Sequence, residues 1–393
     1  MTTPQSIKAL FANDIHRHIE EVIKVDQTDD EILREEMNEY VVTDAILSHY
    51  NGIFEAYRET PNKPHEGIAI WISGFFGSGK SSFAKMLGLS IENRVVAGES
   101  AAERFAQRTK DKKLQVLLKA ITETIPTHAV IFDVSTDRGI RSGNQSLTEI
   151  MYGLFLQSLG YAKDLDLSEL EIALEEQVQL ARFEEEYRIL FKKDWSAEKG
   201  KVAFALSEAS RVMHSLDPVT YPMADSWVKA VKNKADISPT KLAERANELM
   251  KRRRPGKSLI FVVDEVGQFV ARDVQKMLDL QAVVQSLGVK GRGKHWIVVT
   301  SQEKLGELVS GLDDKKIELA RLMDRFPLQV HLEPSDISEV TSRRVLLKNA
   351  PAEMALGKLF DEHRGRLTAH TRLTAGIKLP ELSRDNFIDL YPL

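Results

Sequence analysis

The chain has no cysteine among its 393 residues, which excludes disulfides, thiolate zinc sites and cysteine nucleophiles together. Its 10 histidines show no His-Glu-x-x-His or other paired metal spacing, so no metal other than Mg²⁺ is expected. No apolar run approaches the ~18 residues that cross a bilayer, and the first thirty residues alternate in charge without the apolar centre of a secretory leader. An excess of positive charge is missing too. Lys+Arg total 54 against Asp+Glu 58, a net charge of −4, so the chain as a whole is not a polycation built to coat nucleic acid. The remaining composition, 42% hydrophobic and 28% charged, is that of an ordinary globular protein. A cytoplasmic location without membrane contact is expected, with room for two or three domains.

One stretch organises the rest. Gly74-Phe75-Phe76-Gly77-Ser78-Gly79-Lys80-Ser81, followed by Ser82, lies between the apolar run Ile68-Ala69-Ile70-Trp71-Ile72 and Phe83-Ala84-Lys85-Met86-Leu87. This is G-x-x-x-x-G-K-[ST] in the setting it requires, a buried strand entering a helix through a glycine-rich turn. Glycines let main-chain N–H groups converge on phosphate oxygens, and the helix starting near Gly79 adds its positive end to the same anion site. Lys80 would reach the β- and γ-phosphates of ATP, and the Ser81 hydroxyl would ligate Mg²⁺. The competing reading is a surface turn that happens to contain Gly-Lys; the flanking strand and helix weigh against it.

Further apolar runs mark a sheet. Ala129-Val130-Ile131-Phe132-Asp133-Val134, Leu259-Ile260-Phe261-Val262-Val263-Asp264 and Trp296-Ile297-Val298-Val299-Thr300 read as buried parallel strands, and Leu328-Gln329-Val330-His331-Leu332 alternates like an edge strand. With the first run this makes five strands separated by helical stretches, a three-layer α/β fold with right-handed crossovers. Residues 1–66 form a helical lead-in in which Thr43 caps a helix whose face carries Ile46, Tyr50, Ile53, Phe54 and Tyr57. That lead-in covers a sheet edge or packs beside a nucleotide base. Residues 67–143 hold the first part of the core, including a polar helix from about Glu99 to Ile125, and 251–333 hold the second. The spacing from Ser81 to Asp264 exceeds what a compact nucleotide-binding core needs, so 144–250 is read as a helical insertion, with Leu170, Leu174, Val178 and Ala181 on one face. Residues 334–393 form a C-terminal helical lid whose apolar ending suggests the start of a longer region.

Asp264-Glu265 ends the third long run. Asp264 would hold Mg²⁺, and Glu265 would orient and polarise a water for in-line attack on the γ-phosphate. Thr300, Ser301 and Gln302 close the next strand, and any of the three could contact the γ-phosphate or the attacking water. Arg325, ahead of Arg321, is placed to reach the γ-phosphate of a neighbouring subunit, the arginine-finger role, which requires a homo-oligomer; a solvated helix end is the alternative. Two basic runs, Lys251-Arg252-Arg253-Arg254-Pro255-Gly256-Lys257 and Lys290-Gly291-Arg292-Gly293-Lys294-His295, lie at strand starts, where they could meet DNA phosphates or simply be solvated.

These residues, with Glu39-Tyr40-Val41-Val42-Thr43, Val263-Asp264-Glu265-Val266-Gly267-Gln268 and Val299-Thr300-Ser301-Gln302-Glu303-Lys304-Leu305, give a sequence that resembles the P-loop ATPases of bacterial bacteriophage-exclusion (BREX) defence systems, the BrxC/PglY family. The resemblance implies an AAA+-like P-loop NTPase fold related to origin-recognition ATPases, with a sheet ordered 5-1-4-3-2 and a helical lid. It also implies partnership with other BREX components in a complex that restricts phage DNA, and an ATPase cycle coupled to assembly or DNA engagement. Arg343 and Arg344 stand where a lid arginine facing the nucleotide is sought. Two other classes remain open. One is an ATP-binding signalling or scaffold protein with little turnover; the other is a P-loop kinase, in which Glu265 would have no role.

Overall fold

The structure, a computed structural model, describes residues 6–16, 24–135, 146–231, 237–271, 273–310, 322–333, 335–370 and 382–392. Five apolar runs form one parallel sheet: β1 (Ala69–Gly74), β4 (Thr127–Asp133), β5 (Ser258–Asp264), β6 (His295–Ser301) and β7 (Leu328–Leu332), in the order β4-β5-β6-β1-β7. Counted in chain order, these five strands run 5-1-4-3-2 from the β7 edge, the order that the resemblance implies. A short antiparallel hairpin, β2 (Val95–Val96) and β3 (Glu99–Ser100), stands apart.

Side-chain alternation assigns the two faces of the sheet. The helix Lys80–Glu92 lies so close to one face that a Cβ on Gly88 would sit 2.9 Å from both Ile131 and Val262. Two residues further along each strand come Asp133 and Asp264, paired in register and therefore under the same helix. The opposite face carries the helices Leu147–Ser158, Pro239–Arg253 and Val274–Gly291, with the Phe155 ring 6.0 Å from that of Phe261. The result is a three-layer α/β arrangement.

Thr43 caps the helix Asp44–Glu59 by accepting the Ile46 N–H at 3.2 Å, and Ile46, Tyr50, Ile53, Phe54 and Tyr57 are buried on one face. Tyr50 stacks on Phe83 at 4.1 Å and donates to its carbonyl, while the Tyr57 hydroxyl meets Thr127 at 2.7 Å. The lead-in thus belongs to the helical layer beside Lys80–Glu92 and also reaches the edge strand β7.

Three expectations change. The polar helix over about 99–125 is two helices, Ala101–Ala106 and Lys112–Thr124, because Asp111 caps a fresh start by accepting the Leu114 N–H. Val178 and Ala181 are exposed: the helix Leu165–Glu176 ends before them, Val178 turns with φ of 59°, and a new helix begins at Leu180. The block 144–250 also does not form one body. Helices Leu147–Ser158 and Pro239–Arg253 contribute to the main core, while a second apolar core built around Phe183, Tyr187, Trp195 and Trp227 is confined to 162–231. After β7 come the helices Ser335–Val345, Ala350–His370 and Arg384–Leu390.

Candidate functional site

The site is built where β1, β5 and β6 end. A Cβ on Gly74 would lie 2.5 Å from Ser78 Oγ and 2.9 Å from the Leu332 carbonyl oxygen, so only glycine fits. Gly77 and Gly79 take φ of 78° and 87°, the left-handed region that glycine enters without strain. The helix Lys80–Glu92 starts with no side-chain cap and no acidic residue in its first turn. Its first N–H groups and positive dipole end are therefore left for an anion.

Lys80 is 5% exposed and donates from Nζ to the Phe75 carbonyl at 2.8 Å. Burial pulls its pKa below the usual lysine value, opposed by the charges of Glu265 and Asp264. The Ser81 hydroxyl lies beside the Asp264 carboxylate and helps to hold its pKa down. Thr300 ties the other side: its hydroxyl donates to Asp264 Oδ1 and accepts the Glu265 N–H at 3.0 Å. That second bond holds Glu265 in the left-handed region at φ 59°, an uncommon state for a residue with a Cβ and one found at functional turns. Glu265 Oε2 is buried and has no hydrogen-bond partner. Burial pushes the Asp264 and Glu265 carboxyls above the usual range; the Thr300 and Ser81 hydroxyls oppose this at Asp264, the Asp264 charge adds to it at Glu265 while Lys80 opposes it there, and Asp133 raises both.

The structure thus brings together Lys80, Ser81, Asp264, Glu265 and Thr300 at one end of the sheet. Of the three candidates at the end of β6, Thr300 reaches the carboxylates. Ser301 is buried, accepts the Glu303 N–H at 3.1 Å and abuts Gly267, where an added Cβ would fall 2.0 Å from its Oγ, and Gln302 is exposed. Phe75 and Phe76 are exposed on the loop, and Ser82 is half-buried in the first helical turn. Asp133 joins the acidic edge without having been singled out; its signal was a carboxylate closing an apolar strand, the same pattern as Asp264.

Arg325 does not reach the site of its own chain. Its guanidinium lies 3.6 Å from the carboxylate of Glu66, which precedes β1 at the end away from the loop. Arg321 lies outside the described residues. Arg344 bonds Glu39, and Arg343 bonds Glu339 and the Val42 carbonyl, so both hold the lead-in. The first basic run is internally paired: Arg252 meets Glu175, Glu176 and Glu248, Arg253 meets Glu175 and stacks on Tyr161 at 4.5 Å, and Arg254 donates to the Ser158 carbonyl. In the second run Arg292 and Lys294 are exposed, and Lys290 pairs with Glu244.

Among the described residues no cluster of three His, Asp or Glu side chains could hold a metal unaided. A hydroxyl and one carboxylate are a hard-oxygen pair suited to Mg²⁺ that keeps phosphate and water as its other ligands. Among the described residues no helix is long and apolar enough to cross a membrane. No model of a known protein family matches the chain, and no solved structure matches it.

Proposed function

We propose that the chain binds ATP with Mg²⁺ on residues 74–82 and hydrolyses it to ADP and phosphate. One observation carries the reading: Lys80 and Ser81, from the start of the helix after β1, share a buried corner with Asp264 and Glu265 at the end of β5, and there a glutamate oxygen is left without a partner. An acidic corner facing an uncapped helix start suits a phosphate chain whose charge is balanced by a cation. Ser81 and Asp264 would hold Mg²⁺, which would supply Lewis-acid neutralisation of the phosphate oxygens. Lys80 exchanges the Phe75 carbonyl for phosphate oxygens. Glu265 accepts a hydrogen bond from the attacking water and takes its proton as the new P–O bond forms and the bond to ADP breaks. Thr300 fixes the Glu265 backbone so that its carboxylate stays in place. A glutamate placed in this way favours water as the acceptor over a kinase substrate. Titration with a fluorescent ATP analogue tests the reading: Lys80→Ala is expected to abolish Mg²⁺-dependent binding with the fold intact by circular dichroism, and undiminished affinity would overturn it.

From the four sequence words that carry the resemblance we infer further that this is an AAA+-like ATPase serving a BREX-type phage-defence complex, as a homo-oligomer in which Arg325 enters a neighbour's site. The pairing of Arg325 with Glu66, away from its own phosphate loop, supports a role in trans. Mixing Lys80→Ala with Arg325→Ala subunits is expected to restore part of the turnover that each lacks alone; a mixture as inactive as its components would reject the trans assignment. The pairing of Arg252, Arg253 and Arg254 within the chain weighs against their meeting DNA phosphates.

A further inference from the structure

Two carboxylates one turn apart on the helix Asp30–Glu39 are tied to different parts of the molecule. Glu36 pairs with the Lys85 ammonium, and the two side chains are only 6% and 1% exposed. Lys85 Nζ also donates to the Lys24 carbonyl at 2.7 Å, so the N-terminal segment grips this cation at two points. Lys85 lies one turn beyond Ser81 on the helix that starts at the phosphate loop, on the same helical face.

Glu39 is tied to the C-terminal helix Ser335–Val345. Its carboxylate takes Arg344 Nε and Nη2, both at 2.9 Å, and the neighbouring Arg343 donates to the Val42 carbonyl at 3.5 Å. This joint is about a quarter open to solvent, at 26% and 25%. The two joints therefore differ in kind. Parting the buried pair would strand charges in a low-dielectric interior, whereas the solvated pair is screened and separates readily. Leu33 and Met37 seat the helix between them in the main core, which makes it a stiff link.

We propose that the helix Asp30–Glu39 couples occupancy of the phosphate loop to docking of the C-terminal helix Ser335–Val345, with Glu36–Lys85 as the fixed joint and Glu39–Arg344 as the releasable one. The inference rests on the nucleotide reading of residues 74–82. Contacts that pull on Lys80 and Ser81 shift the helix they open; Lys85 passes the shift to Glu36, and the weaker joint one turn on responds.

Hydrogen–deuterium exchange on the full chain, read at 335–345 with and without a non-hydrolysable ATP analogue and Mg²⁺, tests this. Nucleotide affinity is measured in parallel by fluorescence titration. The analogue is expected to slow exchange at 335–345 by about fivefold or more. Arg344→Gln should remove that response while weakening nucleotide affinity by no more than the same about fivefold factor, and the exchanged pair Glu39→Arg with Arg344→Glu should restore it. Replacing the buried joint by apolar groups, Lys85→Met with Glu36→Leu, gives a second uncoupled variant that avoids a stranded charge. Bound nucleotide with unaltered exchange in the wild type, or a response that survives Arg344→Gln, would overturn the coupling and leave the nucleotide reading standing. Failure of the wild type to bind nucleotide would overturn both.

Discussion

Glu171 and Glu265 are glutamates in neighbouring parts of one chain, and they show how a structural carboxylate differs from one set aside for chemistry. Glu171, in the small core of 162–231, accepts the Ala162 N–H at 2.6 Å, Trp195 Nε1 at 2.7 Å and Lys199 Nζ at 2.9 Å. All of its bonding capacity is directed at the fold. Glu265 stands just past the end of β5 in a left-handed turn, with one buried oxygen unbonded and two further carboxylates nearby. Such an arrangement costs stability. It persists where the surrounding structure enforces it, and here Thr300 does so.

The comparison breaks most visibly by mutation at each glutamate. Glu265→Gln keeps the shape and removes the proton acceptor, so phosphate release is expected to fall by about 10²–10⁴-fold, with ATP-analogue affinity retained; unaltered turnover would make Glu265 a second Glu171. Glu171→Ala should do the reverse. It strands the Ala162 N–H and the Trp195 indole N–H and leaves Lys199 only the Gly160 carbonyl, and urea denaturation should show the small core losing about 3–5 kcal/mol while nucleotide binding survives at the phosphate loop.

What the sequence makes legible follows the same division. The loop Gly74-Phe75-Phe76-Gly77-Ser78-Gly79-Lys80-Ser81, the strand ending at Asp264 and the cap at Thr43 are local patterns in which glycine conformation, run length or a single hydroxyl decides the outcome. The choice of Thr300 over Ser301 and Gln302 is not local, because it depends on how β6 registers against β1 and β5. Arg252, Arg253 and Arg254 read as a bare cationic run since Glu175 and Glu176, which meet Arg252 and Arg253, and the Ser158 carbonyl that Arg254 bonds lie far upstream. Helix Leu147–Ser158 joins the sheet rather than the small core for a similar reason: an apolar face shows that a helix packs without showing what it packs on. Asp133 was readable from its strand-closing position, yet its importance appears only once β4 is set beside β5.

An unpaired buried atom does not by itself mark a site, and His295 provides the control. Its Nδ1 is also buried without a partner, but at the start of β6, away from the phosphate loop, with the ring against Gly291. Burial lowers its pKa from 6.5 to about 4, and the Lys294 charge adds to the shift. Because the folded-state value is the lower one, the unfolded chain takes up the proton first as pH falls. Stability is therefore lost between pH 6.5 and about 4, by about 3 kcal/mol from this residue. Urea midpoints across that range should fall less steeply in His295→Gln, and an unchanged slope would remove His295 as the cause.

The finest test of the comparison is Thr300→Val, which preserves volume and deletes the hydroxyl joining Asp264 to the Glu265 N–H. Each orphaned partner is worth about 1–3 kcal/mol, and the cost is smaller at Asp264, whose carboxylate the Ser81 hydroxyl also stabilises. If Thr300 merely braces the sheet, the loss appears as a lower urea midpoint with kcat intact. If it holds Glu265 in its strained turn, kcat falls by about tenfold while ATP-analogue affinity stays constant, because binding depends on the loop and Lys80 and turnover depends on where the Glu265 carboxylate points. A fall in affinity equal to the fall in kcat would place Thr300 with the binding groups instead.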